Sequence, residues 1–240
     1  MRTLVVLPTY NEIANIERML RTLRSTVPDC DILVVDDGSP DGTADVADVI
    51  ARELSQISIL RRSGKGGLGS AYRAGFTWGL EAGYEAFVEI DCDFSHDPRA
   101  LPEMLALATS SEVVIGSRYV PGGAIPSWST SRLMLSKGGN RYASLMLGLH
   151  VADSTAGYRV YTKSALSKIG YQTVRADGYG FQIEMTYRAR SAGCSIVEFP
   201  ISFTDRTEGE SKMSRAIVTE ALWMVTKWGA ARLFGKGPRS

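Results

Sequence analysis

The stretch TLVVLPTYNEIANIERMLRTLRSTVPDCDILVVDDGSPDGT, residues 3–43, decides the fold. Thr3 to Leu7 is a short β-branched and aliphatic run that ends at Pro8. Asn11 follows as a helix N-cap, and Ile13, Ile16, Leu20 and Leu23 recur at helical spacing. Ile32 to Val35 is a continuous apolar run, the pattern of a strand covered on both faces. The turn-rich DDGSPDGT (36–43) then leads into a second helical pattern through Val46, Val49, Ile50 and Leu54. Outward from this stretch the unit repeats. Ser58 to Leu60 reads as a strand, Gly64 to Gly69 as a loop, Ala71 to Ala82 as a helix, and Ala86 to Ile90 and Val113 to Ile115 as buried strands. Strands separated by helices of this length predict right-handed βαβ crossovers and an α/β fold with a mostly parallel central sheet flanked by helices.

Composition bounds what such a chain does. Of 240 residues, 44% are hydrophobic and 22% charged, which excludes disordered, collagen-like and low-complexity classes. A prior of about one domain per 150 residues leaves room for one large domain, and neither an internal repeat nor an interdomain linker divides it. The net charge of +1 gives no global field toward nucleic acid, so no nucleic-acid partner is expected and anion binding has to be local. Cys30, Cys92 and Cys194 are odd in number and lack CxxC spacing, which argues against a zinc site or a secreted disulfide framework and for a reducing compartment. The apolar run before Pro8 is too short for a signal peptide, and no stretch reaches the ~18 uncharged apolar residues that cross a bilayer. Even the most apolar late segment, 217–234, carries Glu220, Lys227 and Arg232. The expectation is a protein that is soluble or lies on a membrane surface.

The second half departs from the strand–helix rhythm. Residues 128–149 read as a helix whose Trp128, Met134, Leu135, Tyr142, Leu145, Met146 and Leu149 share about 120° of arc, with Arg132, Lys137 and Arg141 on the remaining face. Such a helix either packs on its own domain or rests at a lipid interface. Gly138 and Gly139 weaken it and are expected to break it in two. Ile196 to Phe203, containing Pro200, reads as a strand; a polar loop TDRTEGESKM follows, then a final helix over about 214–234 with its charges scattered around the circumference, and a frayed tail GKGPRS.

In an open parallel sheet, ligands bind where strands end in loops toward the helices. Asp36 and Asp37 end the second strand, and Asp91 and Asp93 follow the buried run FVEI, so four carboxylates should converge on one crevice. Like charges so placed need a cation or hydrogen-bond donors. Asp-x-Asp suits a hard ion, Mg²⁺ or Mn²⁺, that keeps waters and borrows oxygens from a diphosphate. DDGSPDGT also reads simply as a turn. GKGGLGSAYRAG has neither P-loop order nor the acidic partner of a dinucleotide fingerprint, and reads as a flexible loop before a helix. His96 and His150 have no metal-ligand spacing; His96 is expected to cap or orient the Asp-x-Asp loop. Arg118 and, in the late loop, Arg206 with Lys212 supply cations for phosphate oxygens, and Arg132 and Arg141 add to them.

Seven motifs together resemble the inverting family 2 glycosyltransferases: PTYNE (8–12), DDGSPDGT (36–43), GKGGLGSAYRAGF (64–76), DCDFSHDP (91–98), GSRYVPGG (116–123), STAGYRVY (154–161) and DRTEGESKM (205–213). More narrowly they resemble the dolichyl-phosphate or polyprenyl-phosphate mannose synthases. The resemblance implies a GT-A fold, Rossmann-like, with residues 1–213 as catalytic domain and 214–240 as C-terminal helix and tail. It implies that Pro8, Tyr10, Glu12, Asp36 and Asp37 line a guanosine pocket. Asp91 and Asp93, with Cys92 between them, would hold the diphosphate and the metal, with Ser95 as a third metal ligand where some relatives carry glutamine. Arg118, Arg132 and Ser136 would grip an acceptor phosphate, and Arg206 and Lys212 would close over the donor diphosphate.

The implied reaction moves mannose from GDP-mannose to a polyprenyl or dolichyl monophosphate with inversion. An anionic phosphate acceptor needs no general base, so no His or Cys nucleophile is required. The implied place is cytoplasmic, peripheral on the cytoplasmic face of a membrane. Many relatives carry C-terminal transmembrane helices; here an interfacial helix or a membrane-anchoring protein partner would take that role. Rival readings are a UDP- or dTDP-sugar polyprenyl-phosphate glycosyltransferase and a non-catalytic nucleotide-sugar-binding subunit.

Overall fold

The computed structural model describes residues 1–205 and 215–234. The first strand, β1 (Thr3–Thr9), carries Leu4, Val5, Val6 and Leu7 with no exposed surface, and each such side chain contributes about 1.5–3 kcal/mol by leaving water. Its alternate side chains feed two cores. Leu4 and Val6 join one apolar cluster and Val5 and Leu7 the other, so the strand is apolar throughout rather than alternating.

The chain continues as α1 (Ile16–Thr26), β2 (Asp31–Asp36), α2 (Thr43–Glu53), β3 (Ile57–Arg61), α3 (Leu68–Glu81), β4 (Ala86–Glu89), α4 (Leu101–Leu107) and β5 (Val113–Ser117). It closes with α5 (Thr130–Leu147), β6 (Arg159–Thr162), α6 (Lys163–Ile169), α7 (Gly178–Ser191), β7 (Ile196–Pro200) and α8 (Arg215–Leu233). Among the described residues, the strands form one seven-stranded sheet in the order β3-β2-β1-β4-β6-β5-β7. The sheet is mostly parallel as expected; β6 alone runs antiparallel, to both β4 and β5. Chain order reverses between β1, which pairs with β2, and β4, so the loops after β1 and β4 splay apart and leave a crevice at the carboxyl edge.

Three expectations are corrected. Helix α5 runs unbroken through Gly138 and Gly139. Its arc is also split: Met134, Leu135 and Leu145 are exposed, whereas Asn140, Ala143 and Leu147 face the core. Finally, β7 stops at Pro200, whose ring cannot donate to the ladder; Ser202 and Phe203 make only isolated bridges, to Ala124 and His96.

Candidate active site

The crevice deepens into a cavity of about 660 Å³, a size that holds a ligand of nucleotide dimensions. Its walls come from the loops after β1, β2, β3, β4 and β5, from the segment before α5, and from α7.

The end of β1 supplies Pro8, and the loop after it Tyr10 and Glu12. Asn11 adopts φ 58, which turns the chain sharply. DDGSPDGT braces that loop, because the Asn11, Glu12 and Ile13 amides donate to Ser39 Oγ (3.0 Å), Thr43 Oγ1 (2.9 Å) and Asp41 Oδ2 (3.1 Å). Asp36 is buried and lies outside the cavity wall; its carboxylate accepts from Thr9 Oγ1 at 3.0 Å and from Ser39 Oγ at 2.6 Å and N at 2.9 Å. Asp37 does line the cavity. One oxygen pairs with Arg62 and the other accepts from Gly66 N at 2.9 Å.

That second bond clasps the glycine-rich loop, which the structure makes part of the site. Lys65 stands over the Tyr10 ring, its Nζ 4.5 Å from the centroid. On the other side Asp177, at the start of α7, accepts from Gly69 N at 2.7 Å. Gly67 has φ +87, and a Cβ there would lie 1.8 Å from Asp177 Oδ2, so this position is confined to glycine.

Asp91, Cys92, Asp93, Ser95 and His96 all border the cavity after β4. Asp93 is 4% exposed and its Oδ1 accepts from Ser95 N at 3.0 Å, which curls the loop and leaves the Ser95 hydroxyl out of that bond. Phe94 between them holds φ 57, a conformation costly for a bulky residue. His96 is buried between Tyr158 and Phe203, with Nε2 3.9 Å from Asp91 Oδ2. Burial pushes its pKa down to about 4, so it is a neutral packing and orienting group at neutral pH. Behind the acids, Gln182 Nε2 donates to Glu89 Oε2 at 2.8 Å. Burial pushes Glu89 up to about 7 despite the Arg159 charge and that bond.

Two arginines line the same cavity. Arg118, 6% exposed after β5, forks onto Asp153 with Nε–Oδ2 2.6 Å and Nη2–Oδ1 2.7 Å, and Nη2 reaches Thr155 Oγ1 at 2.8 Å. Burial alone would raise the Asp153 carboxyl, but the Arg118 charge and its hydrogen bonds hold it below the ordinary range. Asn140 of α5 fixes this loop, accepting from Ser154 N at 2.8 Å and donating to Thr155 Oγ1 at 3.1 Å. Arg132 sits 3.9 Å over the Trp128 ring and donates to Asp205 Oδ2 at 3.2 Å. Ser136 lies outside the cavity wall, and its Oγ bonds Tyr119 OH at 2.6 Å. Arg206 and Lys212 lie outside the described residues, as do the 213/214 boundary and the tail.

The structure thus brings Pro8, Tyr10, Glu12, Asp37, Asp91, Cys92, Asp93, Ser95, Arg118 and Arg132 to one cavity. Sequence reasoning missed Lys65, Asp177, Tyr179 and Gln182 in its wall. The glycines around Lys65 were the available signal for it. For the α7 residues there was none, because α7 is buried from Gly180 through Ala189 and shows no polar face.

An acid-rich crevice at the switch point of a sheet with one reversed strand is the architecture of GT-A glycosyltransferases. Solved structures agree at the level of fold. A mannosyltransferase from Pyrobaculum calidifontis, in complex with GDP-Man and Mn²⁺, matches with TM-score 0.65 and 15% identity over 100% of this chain and 66% of its own. Glucosyl-3-phosphoglycerate synthase from Mycobacterium tuberculosis, with Mn²⁺ and UDP-glucose, matches with TM-score 0.62 and 19% identity over 100% of this chain and 80% of its own. The chain belongs to glycosyl transferase family 2, whose profile matches residues 4–170. It is 51% identical to an undecaprenyl-phosphate mannosyltransferase of Micrococcus luteus over 96% of this chain and 95% of that one. It is 47% identical to a polyprenol monophosphomannose synthase of Mycolicibacterium smegmatis, covering 95% and 87%.

Proposed function

We propose that this chain transfers mannose from GDP-mannose to a polyprenyl monophosphate with inversion, giving polyprenyl-phosphate mannose and GDP. The observation that carries this reading is one cavity lined by both Asp91 with Asp93 and Arg118 with Arg132. A cavity that holds both an acid pair and two arginines suits two phosphorylated reactants. The names of the close relatives support the acceptor class and the sugar, and the Pyrobaculum structure supports a guanosine donor.

In this reading Pro8, Tyr10, Glu12, Asp37 and Lys65 hold the nucleoside end. Asp36 acts from behind, by shaping the turn on which Asp37 stands. Arg118 and Arg132 orient the acceptor phosphate, whose oxygen attacks the anomeric carbon while the bond from that carbon to the diphosphate oxygen breaks and GDP leaves. The acceptor is already an anion, so proton abstraction by a side chain is not needed, in keeping with a neutral, buried His96. Ser136 positions Tyr119 rather than the phosphate. Arg206 and Lys212 remain proposed as cations over the donor diphosphate.

The donor set fits a hard divalent ion: two carboxylates on one short loop open to the cavity, with the Ser95 hydroxyl beside them. Among the described residues no three His, Cys, Asp or Glu side chains group into a metal cage, so the remaining positions would fall to substrate oxygens and water. Bound there, Mg²⁺ or Mn²⁺ would neutralise the diphosphate and the charge growing on the leaving group.

Among the described residues no helix is long and apolar enough to cross a membrane. Seven of the large apolar side chains left exposed among the described residues, Met134, Leu135, Leu145, Leu222, Trp223, Leu233 and Phe234, are on α5, on α8 or just beyond the end of α8. These faces are proposed to rest on the bilayer that holds the acceptor. The test of the reaction is a donor panel of labelled GDP-mannose, GDP-glucose and UDP-glucose with a short polyprenyl phosphate and a divalent ion. Label from GDP-mannose alone should pass into organic solvent. Transfer from UDP-glucose instead would favour the rival donor, and binding without transfer a non-catalytic role.

A further inference from the structure

Five buried side-chain polar atoms lack a hydrogen-bond partner among the described residues: Tyr72 OH, Glu89 Oε1, His96 Nδ1, Arg132 Nε and Gln182 Oε1. Folded proteins leave few such groups, because a buried polar atom that nothing satisfies is costly. Their distribution is informative. His96, Arg132 and Gln182 line the cavity, and Glu89 is bonded to Gln182 directly. Tyr72, fully buried on α3, has its phenol raised by burial and then by the charges of Asp91 and Glu89, which places it in the same region.

Gln182 is the member of the Tyr72, Glu89 and Gln182 group that reaches the cavity wall. It is only 2% exposed, a buried residue of that wall. Its Nε2 is spent on Glu89, which fixes the amide orientation and leaves Oε1 as an acceptor. An acceptor repels phosphate oxygens, which carry no hydrogen to give. Gln182 also lies beside the acids: the Glu89 carboxyl to which it is bonded feels the Asp91 charge, and Asp91 is proposed to hold the donor diphosphate. A neutral hydroxyl of the sugar joined to that diphosphate is a partner that suits it.

We propose that Gln182 Oε1 accepts a hydrogen bond from a hydroxyl of the donor's sugar ring, making Gln182 a specificity-determining residue held in place by Glu89. This rests on the donor reading above. The experiment compares GDP with GDP-mannose by titration calorimetry on the wild-type protein and on Gln182→Met, which keeps the length and removes the amide. The variant should bind GDP as wild type does and GDP-mannose about tenfold more weakly. Equal affinities for GDP-mannose, or parallel losses for both ligands, would overturn the assignment while leaving the donor reading intact. A wild-type protein that binds neither ligand would overturn the donor reading and this assignment with it. Should Gln182→Met not fold, monodeoxy GDP-mannoses on the wild-type chain serve instead. One of them should bind about tenfold more weakly than the parent, and uniform binding across the set would contradict the proposal.

Discussion

Asp37 and Asp177 hold the glycine-rich loop from opposite sides, one through Gly66 N and the other through Gly69 N. Between them Gly67 combines a left-handed backbone with no room for a side chain. Gly67→Ala should therefore cost about 1–3 kcal/mol of stability from backbone strain alone, and should weaken GDP-mannose binding by displacing Asp177. Gly64→Ala is the control, since its Cβ would meet nothing within 4 Å. Urea unfolding and calorimetry on the two variants should separate them; equal behaviour would refute the two-sided clasp. The glycine-rich motif is visible in the sequence, but its role is not. Its partner Asp177 lies 108 residues from Gly69, and only the fold brings the two together.

At the level of elements, legibility followed burial symmetry. β1 and β2 are covered on both faces, so continuous aliphatic runs betrayed them. α7 is also covered all round, but by Gln182, Glu184, Thr186 and Arg188 as well as apolar residues, so neither period nor composition marked it. β6 has four residues and begins with Arg159, whose buried guanidinium donates to Ala156 O, Ser154 O, Gln182 O, Tyr161 OH and Thr186 Oγ1. A charged residue in the middle of a sheet reads as loop. α5 misled for a different reason: its core face carries Asn140, which holds the 153–155 loop, and the small Ala143, while Met134, Leu135 and Leu145 are left outside.

The end of β4 carries a pH signature. Glu89 has a folded pKa raised to about 7, above the ordinary value of 4.5. Between those values the folded state holds a proton that the unfolded chain has released, so stability falls as pH rises from 4.5 through 7. In metal-free protein, Glu89→Gln should flatten that decline and gain stability at pH 8 relative to wild type, measured by urea midpoint. A variant with an unchanged pH slope would contradict the assignment.

Across the whole molecule, near-neutral net charge hides local asymmetry. α5 carries Arg132, Lys137 and Arg141 and no acid, and Lys227 of α8 lies 4.9 Å from the exposed Trp223 ring. Apolar side chains flanked by cations suit an anionic lipid surface. The protein should float with anionic vesicles, and Leu145→Glu with Trp223→Glu should lower that fraction while sparing transfer to a short, water-soluble acceptor. Flotation unaltered by both changes would place the contact elsewhere.

Asp91 and Asp93 are proposed to act with a divalent cation on a sugar diphosphate. That action is tested by following mannose transfer from GDP-mannose to a polyprenyl phosphate before and after chelation. Chelator should abolish product formation, added Mg²⁺ or Mn²⁺ should restore it, and Asp93→Ala should stay folded with at least a hundredfold lower rate, the scale of losing one such charge. Transfer that continues unchanged in chelator, or at wild-type rate in Asp93→Ala, would contradict the account.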